Sequence, residues 1–510
     1  MSASRVFVYV VMIGIAVASS LFAAAARAGD QPVPAAPAFT ESTALLSRIA
    51  VEETFYPVSL TVSDDQGHIA YALKNSNGMF AVMDDRRHGP FEAVAKGTPL
   101  IGSGRRHWAY VAYQGAKKAQ AFIDGRPEAI YDGIDAFAFS PDGARWSYRV
   151  GMGEKQAVVV DGTAGPLFDV VVRNSGPLFS PNGRRLAYGA LNGPDGQLVV
   201  DGHATGAGGT VSSIVFSPDS SHLAYALQSD GRYRVVRGGQ PGQPYNAVAQ
   251  LTFSPDSKQL IYLARKGEQW LPVLDGRELM GGDTVGMLLF SPDSRRLLYA
   301  LNKGDDWHMI VNGSQGPAFV RLGVYLFSPD SLRFAYMAQS KEGGRMVVDS
   351  RMEAIYDSVG MPVFSADSKQ VAYRANHSGK WFIVQNGKAH PGRHEGLRRP
   401  VFSPAGGRLA YVAIDGKQMA MVVDGQALGR YDAVTFPFFS PQGTHVAYAG
   451  CLDNQWRIYI DGKPGHVLFD AFLKDGLIVF DSENHCRTVV LKMPGPQFVR
   501  LDVSISEDPV

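Results

Sequence analysis

The sequence predicts an all-β fold, a β-propeller of about twelve four-stranded blades. A phrase of the form Phe-Ser-Pro-Asp-Gly/Ser, varied at one position in some copies and followed three residues on by a Leu-Ala-Tyr-like triplet, recurs at Phe139, Phe179, Phe216, Phe253, Phe290, Phe327, Phe364, Phe402 and Phe439. The spacing is 37 residues at most steps, with one step of 40 and one of 38, and a fixed period of that size marks a repeat architecture. Each unit is rich in β-branched and aromatic residues and contains Gly and Pro, which disfavours helical repeats of similar length.

The stretch 211–248 serves as a sample unit. Residues 211–216 read as a first strand. Pro218 fixes its own φ and Asp219 can bond nearby backbone N–H groups, so Ser-Pro-Asp-Ser is a turn. Leu223-Ala224-Tyr225-Ala226 alternates large and small, a second strand. Ser229-Asp230-Gly231 is a loop, 233–236 a third strand, and 245–248 ends a fourth. In other units the third strand runs into Asp161-Gly162, Asp201-Gly202, Asp424-Gly425 or Asp461-Gly462, a pair suited to two-residue hairpins because it tolerates positive φ. An aromatic–acidic pair then opens the next unit, as at Tyr131-Asp132, Phe168-Asp169, Tyr356-Asp357, Tyr431-Asp432 and Phe469-Asp470. A sheet apolar on both faces is stable only between neighbours of its own kind, which is the logic of propeller blades.

Weaker copies extend the array, at Thr61-Val62 with Ile69-Ala70-Tyr71 and at Ile101 with Trp108-Ala109-Tyr110. Residues 477–480, 487–491 and 498–503 read as the later strands of a last unit, so repeats fill about 57–504. The expected organisation is a signal peptide at 1–28, a linker at 29–50, and propeller blades at 51–282 and 283–510. Two fused propellers of about six blades are expected rather than one large ring, because regular propellers rarely exceed eight blades.

Arg5, the apolar run 6–26 and Ala26-Arg27-Ala28 before Gly29 have the form of an export signal. The expected location is the periplasm, with no membrane span after cleavage. Of 510 residues, 45% are hydrophobic and 19% charged, and the net charge of +1 argues against nucleic acid as a partner. The arginine pairs Arg105-Arg106, Arg184-Arg185, Arg295-Arg296 and Arg398-Arg399 are scattered over different units, and most read as solvated loops.

Phe-Ser-Pro-Asp-Gly followed by Leu-Ala-Tyr is similar to the WD40-like propeller repeat of the TolB family, periplasmic proteins of the Tol–Pal envelope system. The resemblance covers about nine units and implies the propeller fold. This chain lacks room for an α/β domain before its first blade and carries about twice the usual number of blades, so the family's partners do not carry over.

Catalytic chemistry is poorly represented. The residues four and three before each phrase Phe belong to the strand that lines a propeller channel: Asp135-Ala136, Ser175-Gly176, Ser212-Ser213, Ala249-Gln250, Gly286-Met287, Gly323-Val324, Gly360-Met361, Arg398-Arg399 and Thr435-Phe436. They form no acid/base dyad, and there is no Gly-x-Ser-x-Gly elbow. The repeated Ser-Pro-Asp reads as a turn, since it recurs from unit to unit where a catalytic site would occur once. No cofactor is expected, and His390 with His394 is broken by Pro391-Gly392 as a helical metal pair. Trp270, Trp307, Trp381 and Trp456 each stand 17 residues after their Phe, with Tyr233 in the same register. They read either as packing between blades or, with Arg398 and Arg399, as a platform for apolar or sugar rings and a carboxylate or phosphate. Cys451 reads as following a second strand and Cys486 as starting a third strand one blade later, which puts both on one face, where a disulfide is possible. The expected function is an exported, non-enzymatic binding or scaffolding protein of the cell envelope, presenting a propeller face to an envelope protein or glycan. The alternatives are a propeller enzyme of lactonase, lyase or glycosidase type, and a small-ligand sensor with a loop-built site.

Overall fold

The computed structural model describes residues 37–506, apart from 116–117 and 474–476. It is a propeller of twelve antiparallel four-stranded blades that follow one another in the chain. Blades 1 to 11 begin at residues 54, 93, 133, 170, 210, 247, 284, 321, 358, 396 and 433, and blade 12 begins at 471.

Blade 6 illustrates the local rules. Its strands are Ala247–Phe253, Leu260–Lys266, Gln269–Leu274 and Arg277–Glu278. In the first turn the Ser254 hydroxyl donates to Asp256 Oδ1 at 2.6 Å, and Ser254 Oγ accepts the N–H of Gln259 at 3.0 Å. Asp275-Gly276 makes the hairpin into the fourth strand with both φ positive, 47° and 83°, as the sequence predicts. Asp275 also accepts the N–H of Leu260 at 2.9 Å, tying hairpin to second strand. Tyr245, read from sequence as part of the end of a fourth strand, instead lies in the junction between blades and bridges back to Tyr233; the fourth strand of blade 5 is the short Gln240–Pro241.

Two devices join many of the turns to the next blade. The fourth residue of Ser-Pro-Asp-Ser has positive φ and its hydroxyl accepts the aspartate N–H of the preceding blade, as Ser294 does from Asp256 at 2.9 Å. Arginines also reach across. Arg333 pairs with Asp349 at 2.8 Å, donates to the Lys369 carbonyl at 3.0 Å, and lies over the Phe364 ring at 5.4 Å. Arg185 and Arg296, the second members of two arginine pairs, stack in the same way on Phe216 and Phe327, so they are struts between blades rather than solvated loops.

Apolar clusters fill the seams. Among the described residues eleven of them lie between blades consecutive in the chain, and a twelfth joins blade 12 to blade 1 through Leu491 and Phe498 against Ile69 and Tyr71. The boundary expected between 282 and 283 falls at such a seam, where Ile261 and Leu263 of blade 6 pack with Val285, Leu297 and Tyr299 of blade 7.

Blade 12 differs from the sequence reading. Ala471–Phe472 with Val479–Ser482 forms its interrupted first strand, His485–Lys492 and Gln497–Ile505 are the second and third, and the fourth is Phe39–Arg48, from within the expected linker. The pairing runs antiparallel from Phe39↔Ile505 to Arg48↔Gln497. Glu41 reinforces it by accepting the N–H groups of His466 and Val467 at 2.5 and 2.8 Å. The segment carries no repeat phrase, which is why the periodicity does not find it.

Candidate functional site

The first strands form the inner edge of the propeller: those of neighbouring blades approach one another, while fourth strands such as Arg351–Tyr356 are the most exposed. Each first strand is bulged or interrupted just before its phrase Phe. In blade 6 the register shifts between Ala249 and Thr252, with Gln250 at φ 52°. A bulge turns a side chain out of the sheet's alternation, and the residue three before the Phe is the one released.

In blades 7, 8, 9, 11 and 12 that residue is Met287, Val324, Met361, Phe436 and Leu477, and each is between 40% and 57% exposed. Blade 10 has Arg399 there, also exposed. The counterparts in blades 3 to 6 are Ala136, Gly176, Ser213 and Gln250, small or polar. The inner edge therefore has an apolar half and a polar half. The row is visible in the sequence, where small and apolar identities at these positions looked bland for want of an exposure.

Arg399 has no hydrogen-bond or ion-pair partner among the described residues. Arg398 donates to the Val434 carbonyl at 2.8 Å and lies over the Phe436 ring at 5.3 Å. Burial lowers its pKa and no carboxylate compensates it. Both arginines sit in the interruption between Gly396–Leu397 and Val401–Phe402, in the middle of the inner strand and not at the end bearing the tryptophans. Arg374 adds a third cation. It donates to the Leu397 carbonyl and lies over the Trp381 ring at 4.8 Å. Its counterpart in blade 3, Arg149, has Asp135 as ion-pair partner. Blade 9 has Gly360 at the position of Asp135, so Arg374 lacks that carboxylate.

The tryptophans share one register near the start of the third strands, as expected, and their rings enter the seams. Trp270, Trp307, Trp381 and Trp456 each pack against the cluster shared with the following blade. Trp456 meets Phe472 edge-on at 5.7 Å. Their backbones close the seam too, Trp381 exchanging hydrogen bonds with His394 at 2.7 and 2.9 Å. Tyr233 pairs likewise with Tyr245 and is half-buried.

The disulfide considered for Cys451 and Cys486 is not formed; both thiols are free and buried. Cys451 stands near the end of the second strand Val446–Leu452 of blade 11, whereas Cys486 is the second residue of His485–Lys492, itself a second strand. The two therefore occupy opposite ends of neighbouring blades, because the last unit is one strand out of step with the sequence reading. His390 contacts Gln385 at 2.9 Å and His394 contacts Asp415 at 2.8 Å, so the two histidines have separate partners. Among the described residues no three His, Cys, Asp or Glu side chains gather as a metal site.

No family model and no curated protein matches the chain. Solved structures do. A eukaryotic initiation factor is 13% identical with a TM-score of 0.34, over 72% of this chain and 96% of that one. TolB from Acinetobacter baumannii is 17% identical with a TM-score of 0.23, over 58% and 79%. The β-propeller domain of the Trilobed protease from Pyrococcus furiosus is 12% identical with a TM-score of 0.23, over 48% and 90%.

Proposed function

We propose that this chain is an exported, non-enzymatic binding or scaffolding protein of the cell envelope, and that its twelve blades close as one ring whose inner edge holds an apolar protein segment bearing a carboxylate. The observation that carries the reading is the exposed row Met287, Val324, Met361, Phe436 and Leu477. Contiguous exposed apolar surface on a soluble protein marks an interaction site, and Arg399 within the row offers a planar fork for a carboxylate. A protein segment suits it better than a glycan, since the aromatic rings that would stack on sugars lie in the seams. Export is supported by the signal-like residues 5–28 and by the resemblance of the repeat phrase to the TolB family. A single ring is supported by the unbroken series of seams, with blade 12 on blade 1 and blade 6 on blade 7.

The test is affinity capture from the envelope fraction of the source cells, comparing wild type with a Met287→Ser, Met361→Ser, Phe436→Ser variant that melts normally. A partner held by wild type and released by the variant supports the reading; a partner indifferent to these changes overturns it. Electron-microscope images down the axis test the ring, two separate lobes being the contrary result.

A further inference from the structure

Among the described residues the seam between blades 4 and 5 has the fewest buried apolar side chains. Its cluster has five, Ala187, Val211, Ile214, Leu227 and Val236, where each of the other eleven has eight to twelve. Three departures from the repeat explain it. Gly196 occupies the register of the tryptophans, 17 residues after Phe179. Ala207 takes the place of the junction aromatic: its N–H donates to the Gly196 carbonyl at 2.8 Å, as that of Tyr245 does to Tyr233. Thr205 stands 11 residues before Phe216, where Glu128 and Glu353 stand before Phe139 and Phe364.

These losses converge on Tyr225. The other tyrosines of the repeat triplet, such as Tyr188, Tyr262 and Tyr373, are at most 4% exposed, and several meet a junction aromatic edge-on, as Tyr188 meets Phe168 at 6.2 Å. Tyr148 and Tyr373 also bond Glu128 and Glu353 of the preceding blade, at 3.3 and 2.5 Å. Tyr225 has neither. It is half-buried, and its hydroxyl has no hydrogen-bond partner among the described residues. In front of it opens a cavity of about 820 Å³, whose apolar wall is Leu198, Leu223, Leu227 and Val236 and whose size falls within the range of small-molecule sites.

We propose that this cavity is a binding site for a small, uncharged aromatic molecule with one hydrogen-bonding group, its ring taking the place of the missing junction aromatic and its polar atom meeting the Tyr225 hydroxyl. The charged groups at the rim do not ask for an anion. Arg185 is paired with Asp201 at 3.2 Å and Arg237 with Asp275 at 2.8 Å, and each lies over a phenylalanine. The site is independent of the inner-edge row.

The probe is 4-fluorophenol, followed by ¹⁹F NMR against the full chain. Wild type is expected to bind at one saturable site. Ala207→Phe restores the aromatic and is expected to weaken binding at least about tenfold while holding or raising Tm. Thr205→Glu restores the hydroxyl's partner by a milder change and is expected to weaken binding too, which keeps the test decisive should the first variant fail to fold. Absence of saturable binding up to about 10 mM, or equal binding by a folded filled variant, overturns the proposal.

Discussion

Glu483 of blade 12 accepts a hydrogen bond from the Ser440 hydroxyl of blade 11 at 2.5 Å. In most blades the turn supplies its own carboxylate, as Asp256 does for Ser254. Blade 11 has Gln442 at that position, and Glu483 reaches back from the neighbouring turn to replace it. It also accepts the N–H groups of Gln442 at 2.7 Å and Thr444 at 3.2 Å. Partial burial pushes the Glu483 pKa up, but these hydrogen bonds outweigh it and hold it down to about 2, from an ordinary value near 4.5. A depressed carboxylate stabilises the fold fully above its unfolded pKa and loses that contribution as pH falls through the folded one. Wild type is therefore expected to lose stability relative to Glu483→Gln between about pH 4.5 and pH 2, and to melt higher than the variant at pH 7. Melting curves of both proteins across that range check it.

The serine belt makes a separate prediction. Ser294 accepts the Asp256 N–H from the preceding blade, but does so at φ 66°, a conformation that costs a residue with a side chain. Ser294→Ala keeps the strained backbone and loses the acceptor, and is expected to destabilise by about 1 kcal/mol. Ser294→Gly loses the same bond but relieves the backbone, so it is expected to cost less. Urea unfolding of the two variants gives the order directly.

Arg333 is expected not to tolerate lysine. Its guanidinium serves Asp349, the Lys369 carbonyl and the face of Phe364 together, and an ammonium cannot serve all three. Arg333→Lys is expected to cost about 1 kcal/mol, against little for Arg399→Lys, whose side chain is exposed. Denaturant midpoints of the pair are the measurement.

The fold was legible because one turn, one triplet and one hairpin pair recur in fixed register, and each has a local physical cause. What lay beyond reading were relationships across blades. Arg185 and Arg296 look like loop charges until the next blade's phenylalanine is beside them. Phe39–Arg48 has no phrase, and its partner lies at the far end of the chain. Cys486 was misplaced by one strand for that reason. Gly196, Ala207 and Thr205 were visible as small residues in registers held elsewhere by larger ones, but a void needs three dimensions to be seen.

The tryptophans now predict stability first. Trp307→Ala and Trp381→Ala are each expected to cost about 2 kcal/mol, by opening a seam between blades. Met287→Ser on the inner edge is expected to change stability by less than about 0.5 kcal/mol. Thermal melts of the three proteins separate the seam from the surface.

The pairing of Phe39 with Ile505 sets an order of events in the life of the chain. Phe39–Arg48 is made long before its partner and stays unpaired until Gln497–Ile505 has been made, and blade 12 stays a strand short until both are present. A chain that stops early leaves a raw sheet edge beside an uncovered apolar seam, a state that invites proteolysis or aggregation. Phe39–Arg48 thus acts as a receipt for Gln497–Ile505.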